Sequence, residues 1–129
     1  GRCTSECPAN QTGKKLSPRK IMMDTRDRLE KVSLNISKNK GEFIDDGDRL
    51  LDNYISKEEL WACTSCNACV EACPINIDPL SIIMDMRQYL IMEESSAHPD
   101  LNNMMNNIEN NGAPWPYNQL DRELWAQET

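Results

Sequence analysis

The chain has 129 residues, 39% hydrophobic and 5% aromatic, which suits one domain with a thin core rather than two independent ones. A formal net charge of −7 without any dense basic stretch speaks against a nucleic-acid partner; it is the ordinary condition of a soluble domain, and it also suits docking to a basic protein face. No apolar run reaches the roughly 18 residues needed to cross a bilayer, and the opening Gly1-Arg2-Cys3 shows neither a signal-peptide pattern nor an initiator methionine, as expected of a cut or processed piece.

In chain order, Cys3 to Pro8 reads CxxxCP. Ser17 as a cap and Pro18 in the first turn then open a predicted long helix from Pro18 to about Ser37, with apolar residues at Ile21, Met22, Leu29, Val32 and Ile36. Asn39-Lys40-Gly41 ends it, and Asp45-Asp46-Gly47-Asp48 reads as a turn before Leu50 and Leu51. Ser56 and Glu59 form a capping-box pair, predicting a short helix through Leu60 and Trp61. Asp78-Pro79 repeats the start signal, and Leu80, Ile82, Ile83, Met86, Leu90 and Ile91 give a second long helix one apolar face. After His98-Pro99-Asp100, a weaker helix is predicted around Met104, Met105 and Ile108, closed by Asn110-Asn111-Gly112. Pro114-Trp115-Pro116 reads as extended, and a last short helix is expected from Leu120 to Ala126. No stretch alternates at period two, so the expected fold class is all-α with little or no sheet. Trp61, Trp115 and Trp125 are read as core-covering, the methionines as packing residues, His98 as a solvated loop residue, and Lys14, Lys15, Arg19 and Lys20 as a solvated face.

The chemistry lies in six cysteines. Cys63, Cys66, Cys69 and Cys73-Pro74 form CxxCxxCxxxCP, the ligand run of cubane iron–sulfur clusters. Spacings of three gather three sulfurs around one small volume, while the fourth cysteine points to the other cluster and its proline stops the winding. Cys3-Thr4-Ser5-Glu6-Cys7-Pro8 is the second half of the same pattern. Aligning Cys3 with Cys69 and Cys7 with Cys73 places two further cysteines three and six residues before Cys3, ahead of Gly1. By exchange of fourth ligands, Cys63, Cys66, Cys69 and Cys7 make one complete [4Fe–4S] site, while Cys3 and Cys73 are two ligands of an incomplete second site. The parent protein is thus expected to hold two clusters and this piece one or none. The small or polar Thr64, Ser65, Asn67 and Ala68 let backbone amides approach the sulfurs, and Ile75 and Ile77 are expected to shield the cluster. A disulfide framework fits the even count but suits shorter secreted chains. A zinc scaffold, in which metal merely staples helices, usually uses two separated CxxC pairs.

These motifs resemble those of the alpha-helical ferredoxins, found in the iron–sulfur subunits of succinate dehydrogenase and fumarate reductase, in heterodisulfide reductase subunits and in a subunit of anaerobic glycerol-3-phosphate dehydrogenase. Heterodisulfide reductase-like proteins are the nearest match. The resemblance runs from Cys3 to about Met92, includes the helix start Ser17-Pro18-Arg19-Lys20-Ile21, and continues at Asn111-Gly112-Ala113-Pro114-Trp115, similar to an Asn-Pro-Trp-Gly segment that precedes an Arg and a Trp, here Arg122 and Trp125. Gly112-Ala113 before Pro114, and Pro116 in place of glycine, depart from that segment. The resemblance implies a two-cluster core over residues 1–93 and a helical extension over residues 94–129. It further implies single-electron relay inside a larger oxidoreductase, with redox domains or subunits as partners and no catalytic residue of its own. The expected location is the cytoplasm or the cytoplasmic face of a membrane, the parent being membrane-associated in the second case.

Overall fold

A computed structural model describes residues 1–127. Its contacts divide it into two compact units, Gly1–Tyr89 and the stretch from Leu90 onward. The first holds α1 (Arg2–Ser5), α2 (Pro8–Gln11), α3 (Pro18–Lys38), α4 (Lys57–Trp61), α5 (Ala68–Glu71) and most of α6 (Pro79–Met92). Among the described residues there is no strand or sheet, only an isolated bridge between Leu51 and Ile55. The all-α expectation holds.

The long helix starts and stops where its residues dictate. Ser17 Oγ accepts from the Lys20 N–H at 3.3 Å, and Pro18 supplies a pre-set φ at the first helical position. Past the Asn39 cap, Lys40 at φ +57° and Gly41 at φ +101° turn the chain back. The inward stripe differs from the one read in the sequence: Ile21 and Arg28 are buried, while Leu29 is 66% exposed. Seven residues make nearly two full turns, so Arg28 falls under Ile21 and Leu29 faces away.

The returning chain is held along α3 by polar hooks one turn apart. Arg28 donates to both oxygens of Asp46 at 2.6 and 2.8 Å, and Asn35 grips the backbone of Ile44 twice, donating to its carbonyl at 2.9 Å and accepting from its N–H at 3.0 Å. Between them, Lys31 reaches Asp48 at 3.2 Å and the Tyr54 hydroxyl, which itself donates to Asp48 at 2.9 Å. The Arg28 guanidinium beside it holds the Asp46 carboxyl well down, to about 2. A turn over Leu50–Tyr54, with Asp52 at φ +76°, then buries Leu51 and Ile55.

A complete capping box starts α4: Ser56 Oγ accepts from the Glu59 N–H, and the Glu59 carboxylate accepts from the Ser56 N–H at 2.9 Å. Lys20 Nζ donates to the same carboxylate at 2.8 Å. Burial alone would raise the Glu59 carboxyl; the bonds from Lys20 and Ser56 outweigh it and leave it below its ordinary value. Lys20 is therefore engaged with a buried partner rather than part of a solvated face. Leu16, Ile21, Ile55, Leu60 and Ile83 are almost wholly buried, each contributing about 1.5–3 kcal/mol.

The second unit contains α7 (Pro99–Asn111), a 3₁₀ turn (Gln119–Glu123) and α8 (Leu124–Gln127). His98, exposed as expected, caps α7 by accepting from the Asp100 N–H at 3.3 Å, and Gly112 closes it at φ +66°. A Cβ at Gly112 would meet only the mobile end of the Gln119 side chain, Nε2 at 2.8 Å, so it is the left-handed backbone rather than space that favours glycine here. Trp115 and Trp125, read in the sequence as covering a core, are 51% and 79% exposed.

Candidate metal centre

Cys63 follows α4 directly, its N–H donating to the Leu60 carbonyl at 3.3 Å. The chain then winds through two left-handed residues, Ser65 at φ +56° and Asn67 at φ +60°. Asparagine tolerates that conformation; for serine it costs on the order of 1 kcal/mol or more, which the surroundings must offset. What the winding achieves is to aim donors at sulfur. The Ser65 N–H donates to Cys63 Sγ at 3.4 Å, and the Ile77 N–H to Cys73 Sγ at 3.3 Å. The Ala68 N–H and the Thr64 hydroxyl donate to the Cys66 sulfur and pull its thiol below the ordinary value. Of the four residues singled out for this purpose in the sequence, Ser65 and Ala68 supply backbone N–H groups and Thr64 its hydroxyl; Ile77 is not among them.

Cys7, Cys63, Cys66 and Cys69 line a single cavity, whose remaining wall includes Leu16, Pro18, Leu80 and Ile83. Burial pushes the Cys69 thiol up, and the charges of Cys63 and Cys7 push it the same way. Several thiolates gathered in a half-buried space therefore require a positive partner to remain ionised. All six cysteines are free. Among the described residues no three His, Cys, Asp or Glu side chains are set to hold a single ion. The first turns of the long helices α3 and α6 place Pro18 and Leu80 on this cavity, so the positive ends of two helix dipoles lie beside it. Four thiols, N–H donors aimed at sulfur and two helix starts fit an anionic iron–sulfur cluster.

Cys3 and Cys73 lie outside this cavity, Cys3 in α1 and Cys73 just past α5, and these two short helices pack together. The halves repeat in detail. Thr4 and Ser5 donate to the Gly1 carbonyl at 2.9 and 3.1 Å, as Val70 and Glu71 donate to that of Asn67 at 2.9 and 3.0 Å. Cys7 donates to Thr4 at 3.2 Å as Cys73 does to Val70 at 3.0 Å, and a proline follows each. Each half ends in a capped helix start, on Ser17 in one and on Asp78 in the other, where Asp78 Oδ1 accepts from the Leu80 and Ser81 N–H groups at 2.9 and 3.0 Å.

The halves differ in what covers them. The first carries α2 and buried Ala9 and Leu16 between its proline and its long helix. The corresponding stretch of the second leaves Ile75 and Ile77 74% and 41% exposed. The expectation that Ile75 and Ile77 shield the cluster is therefore corrected: Leu16, Pro18, Leu80 and Ile83 wall the cavity instead. The available signal was position, since Leu16 and Leu80 flank the two helix-starting prolines.

The 4Fe-4S dicluster domain family matches residues 1–77. The probable iron-sulfur-binding oxidoreductase FadF of Bacillus subtilis (strain 168) is 31% identical over 99% of this chain and 22% of its own length. A probable membrane-anchored ferredoxin of Chromohalobacter salexigens is 31% identical over 99% of this chain and 21% of its own. An iron-sulfur subunit of the CoB–CoM heterodisulfide reductase of Methanocaldococcus jannaschii is 30% identical over 75% of this chain and 40% of its own. The chain thus spans about a fifth of the length of the first two. No solved structure matches. The chain belongs to the 4Fe–4S dicluster domain family, whose cofactors are [4Fe–4S] clusters and whose task is electron transfer.

Proposed function

We propose that Cys7, Cys63, Cys66 and Cys69 hold one [4Fe–4S] cluster and that Cys3 and Cys73 supply two thiolates of a second. Through them the chain relays single electrons between a redox donor and the catalytic or membrane subunit of a heterodisulfide reductase-like oxidoreductase. Residues 1–93 form the cluster-bearing core and residues 94–129 a helical extension, of which residues 128 and 129 lie outside the described residues. The observation that carries this reading is Cys7, which lines the cavity of the CxxCxxC turn although the whole stretch from Pro8 to Ala62 separates them. When bound, a cluster takes up and releases one electron without a bond being made or broken. The chain's own residues supply the thiolates, direct N–H groups at sulfur and, through Leu16, Pro18, Leu80 and Ile83, exclude water.

Among the described residues no helix is long and apolar enough to cross a membrane. We place the chain in the cytoplasm or on the cytoplasmic face of a membrane, beside partner redox subunits; the likeness to a probable membrane-anchored ferredoxin supports only the association with a membrane. The competing reading is a zinc scaffold. Zinc sits about 2.3 Å from each sulfur and draws four thiolates into one small tetrahedron, whereas sulfurs ranged around a cavity suit a cubane. Anaerobic reconstitution of the protein with ferrous iron and sulfide separates the two. Equal iron and sulfide with a reducible paramagnetic signal is expected; stoichiometric zinc without a redox response would establish the scaffold.

A further inference from the structure

Arg87 lies on the face of α6 that walls the cavity, one turn beyond Ile83 and two beyond Leu80. Its side chain reaches back to the start of the cysteine loop. Nε and Nη2 donate to the Leu60 carbonyl at 3.0 and 2.6 Å, and Nη2 also donates to the carbonyl of Cys63 at 2.6 Å. The guanidinium carbon stands 4.9 Å from the centroid of the Trp61 ring, so the indole covers one face of the cation. Trp61 thus serves as a platform for Arg87 rather than as an ordinary core residue. One guanidinium joins the last turn of α4 to the backbone of the first cysteine of the CxxCxxC run.

The acceptors are neutral carbonyl oxygens, so these contacts fix the cation in place without cancelling its charge. A part-buried positive charge next to a redox group favours whichever state is more negative. We propose that Arg87 is a positioning residue that raises the reduction potential of the cluster held by Cys7, Cys63, Cys66 and Cys69, and that it orients the Cys63 loop through the same bonds. The proposal rests on the four-cysteine assignment above. In the step concerned, one electron passes from a reduced redox partner to the oxidised site, the partner loses that electron, and no bond forms or breaks. The added negative charge would fall on a site whose first cysteine Arg87 holds by its carbonyl, which would make reduction easier than it would be with a neutral side chain there.

The test is an anaerobic redox titration of the iron-loaded protein, following by electron paramagnetic resonance the signal that Cys66→Ser removes. Arg87→Gln keeps a donor but loses the charge, and is expected to lower the ratio of reduced to oxidised cluster at fixed poise about tenfold, a fall in midpoint of about 59 mV for one electron. Arg87→Lys keeps the charge and is expected to restore most of that difference. A Gln variant with wild-type iron, sulfide and absorption that titrates at the wild-type midpoint overturns the proposal. If Arg87→Gln loads no iron, Arg87→Lys decides. A midpoint held near wild type supports the charge effect, while a tenfold fall in its ratio of reduced to oxidised cluster, or failure of both variants to load, leaves Arg87 a purely structural group and overturns it. Wild-type protein that takes up no iron and sulfide would instead refute the four-cysteine reading itself, whatever Arg87 does.

Discussion

Residues 42–54 lie along α3 on hooks that the protein itself supplies, whereas residues 63–77 are ordered around a cavity and direct N–H groups at sulfur. In the first region every hook finds a side-chain or backbone partner within the chain: Arg28 on Asp46, Asn35 on Ile44, Lys31 on Asp48. In the second, Ser65, Asn67 and Asn76 adopt left-handed backbone conformations, Ile75 is 74% exposed, and the Cys63 and Cys73 sulfurs accept backbone N–H bonds. On the proposed ligand set, a chain with few aromatic residues orders one loop by charge and amide pairing and the other around an inorganic group. The first should stand alone; the second should not.

Iron removal sharpens this contrast most. Binding free energy at the cavity is also folding free energy for the loop that surrounds it. Chelation is expected to abolish amide protection over residues 64–77 while Ile21 to Lys38 stays protected, as read by hydrogen exchange with mass spectrometry. Simultaneous loss in both regions would mean that α3 also depends on the cluster and would erase the distinction.

Substitution compares the regions on a smaller scale. Ile21→Ala removes a fully buried side chain from α3 and is expected to cost about 2–5 kcal/mol in urea unfolding of the iron-loaded protein. Ile75→Ala, in the exposed stretch after Cys73, is expected to change stability by no more than about 0.5 kcal/mol. Equal costs would place Ile75 in a packed environment that the fold does not give it.

The smallest effect is titration of the Arg28–Asp46 hook. Because the folded carboxyl is depressed from 3.8 to about 2, its contribution is fully present above the ordinary value and fades as pH falls between the two. Amide protection of residues 42–54 is expected to hold at about pH 5 in the wild type and to be already weakened there in Asp46→Asn. Identical protection in the two proteins would show that the pair orders nothing.

Local signals made much of this legible. The predicted helix from Pro18 to about Ser37 is observed as Pro18–Lys38, the capping box at Ser56 and Glu59 is complete, and the Asp78-Pro79 start opens Pro79–Met92. Such signals act over a few residues and need no tertiary partner. Periodicity misassigned Leu29 because it cannot see that a returning loop offers Asp46 to Arg28, which makes the buried stripe partly ionic. Distance in sequence hid Arg87 on Cys63 and Lys20 on Glu59 for the same reason. The shielding residues were misassigned to Ile75 and Ile77 because apolar residues next to a cysteine are near it in sequence, yet the cavity is walled by helix starts. The cysteine spacing is the signal of a local winding that recurs in both halves, and Cys7 lines one cavity with Cys63, Cys66 and Cys69.

The central claim is that thiolates from two remote stretches share one cluster. Cys7→Ser and Cys66→Ser should each remove the same paramagnetic signal and the same share of iron from the reconstituted protein, despite their separation in sequence. If Cys7→Ser retains the signal that Cys66→Ser abolishes, Cys7 is not a ligand of that cluster and the proposed ligand set is wrong.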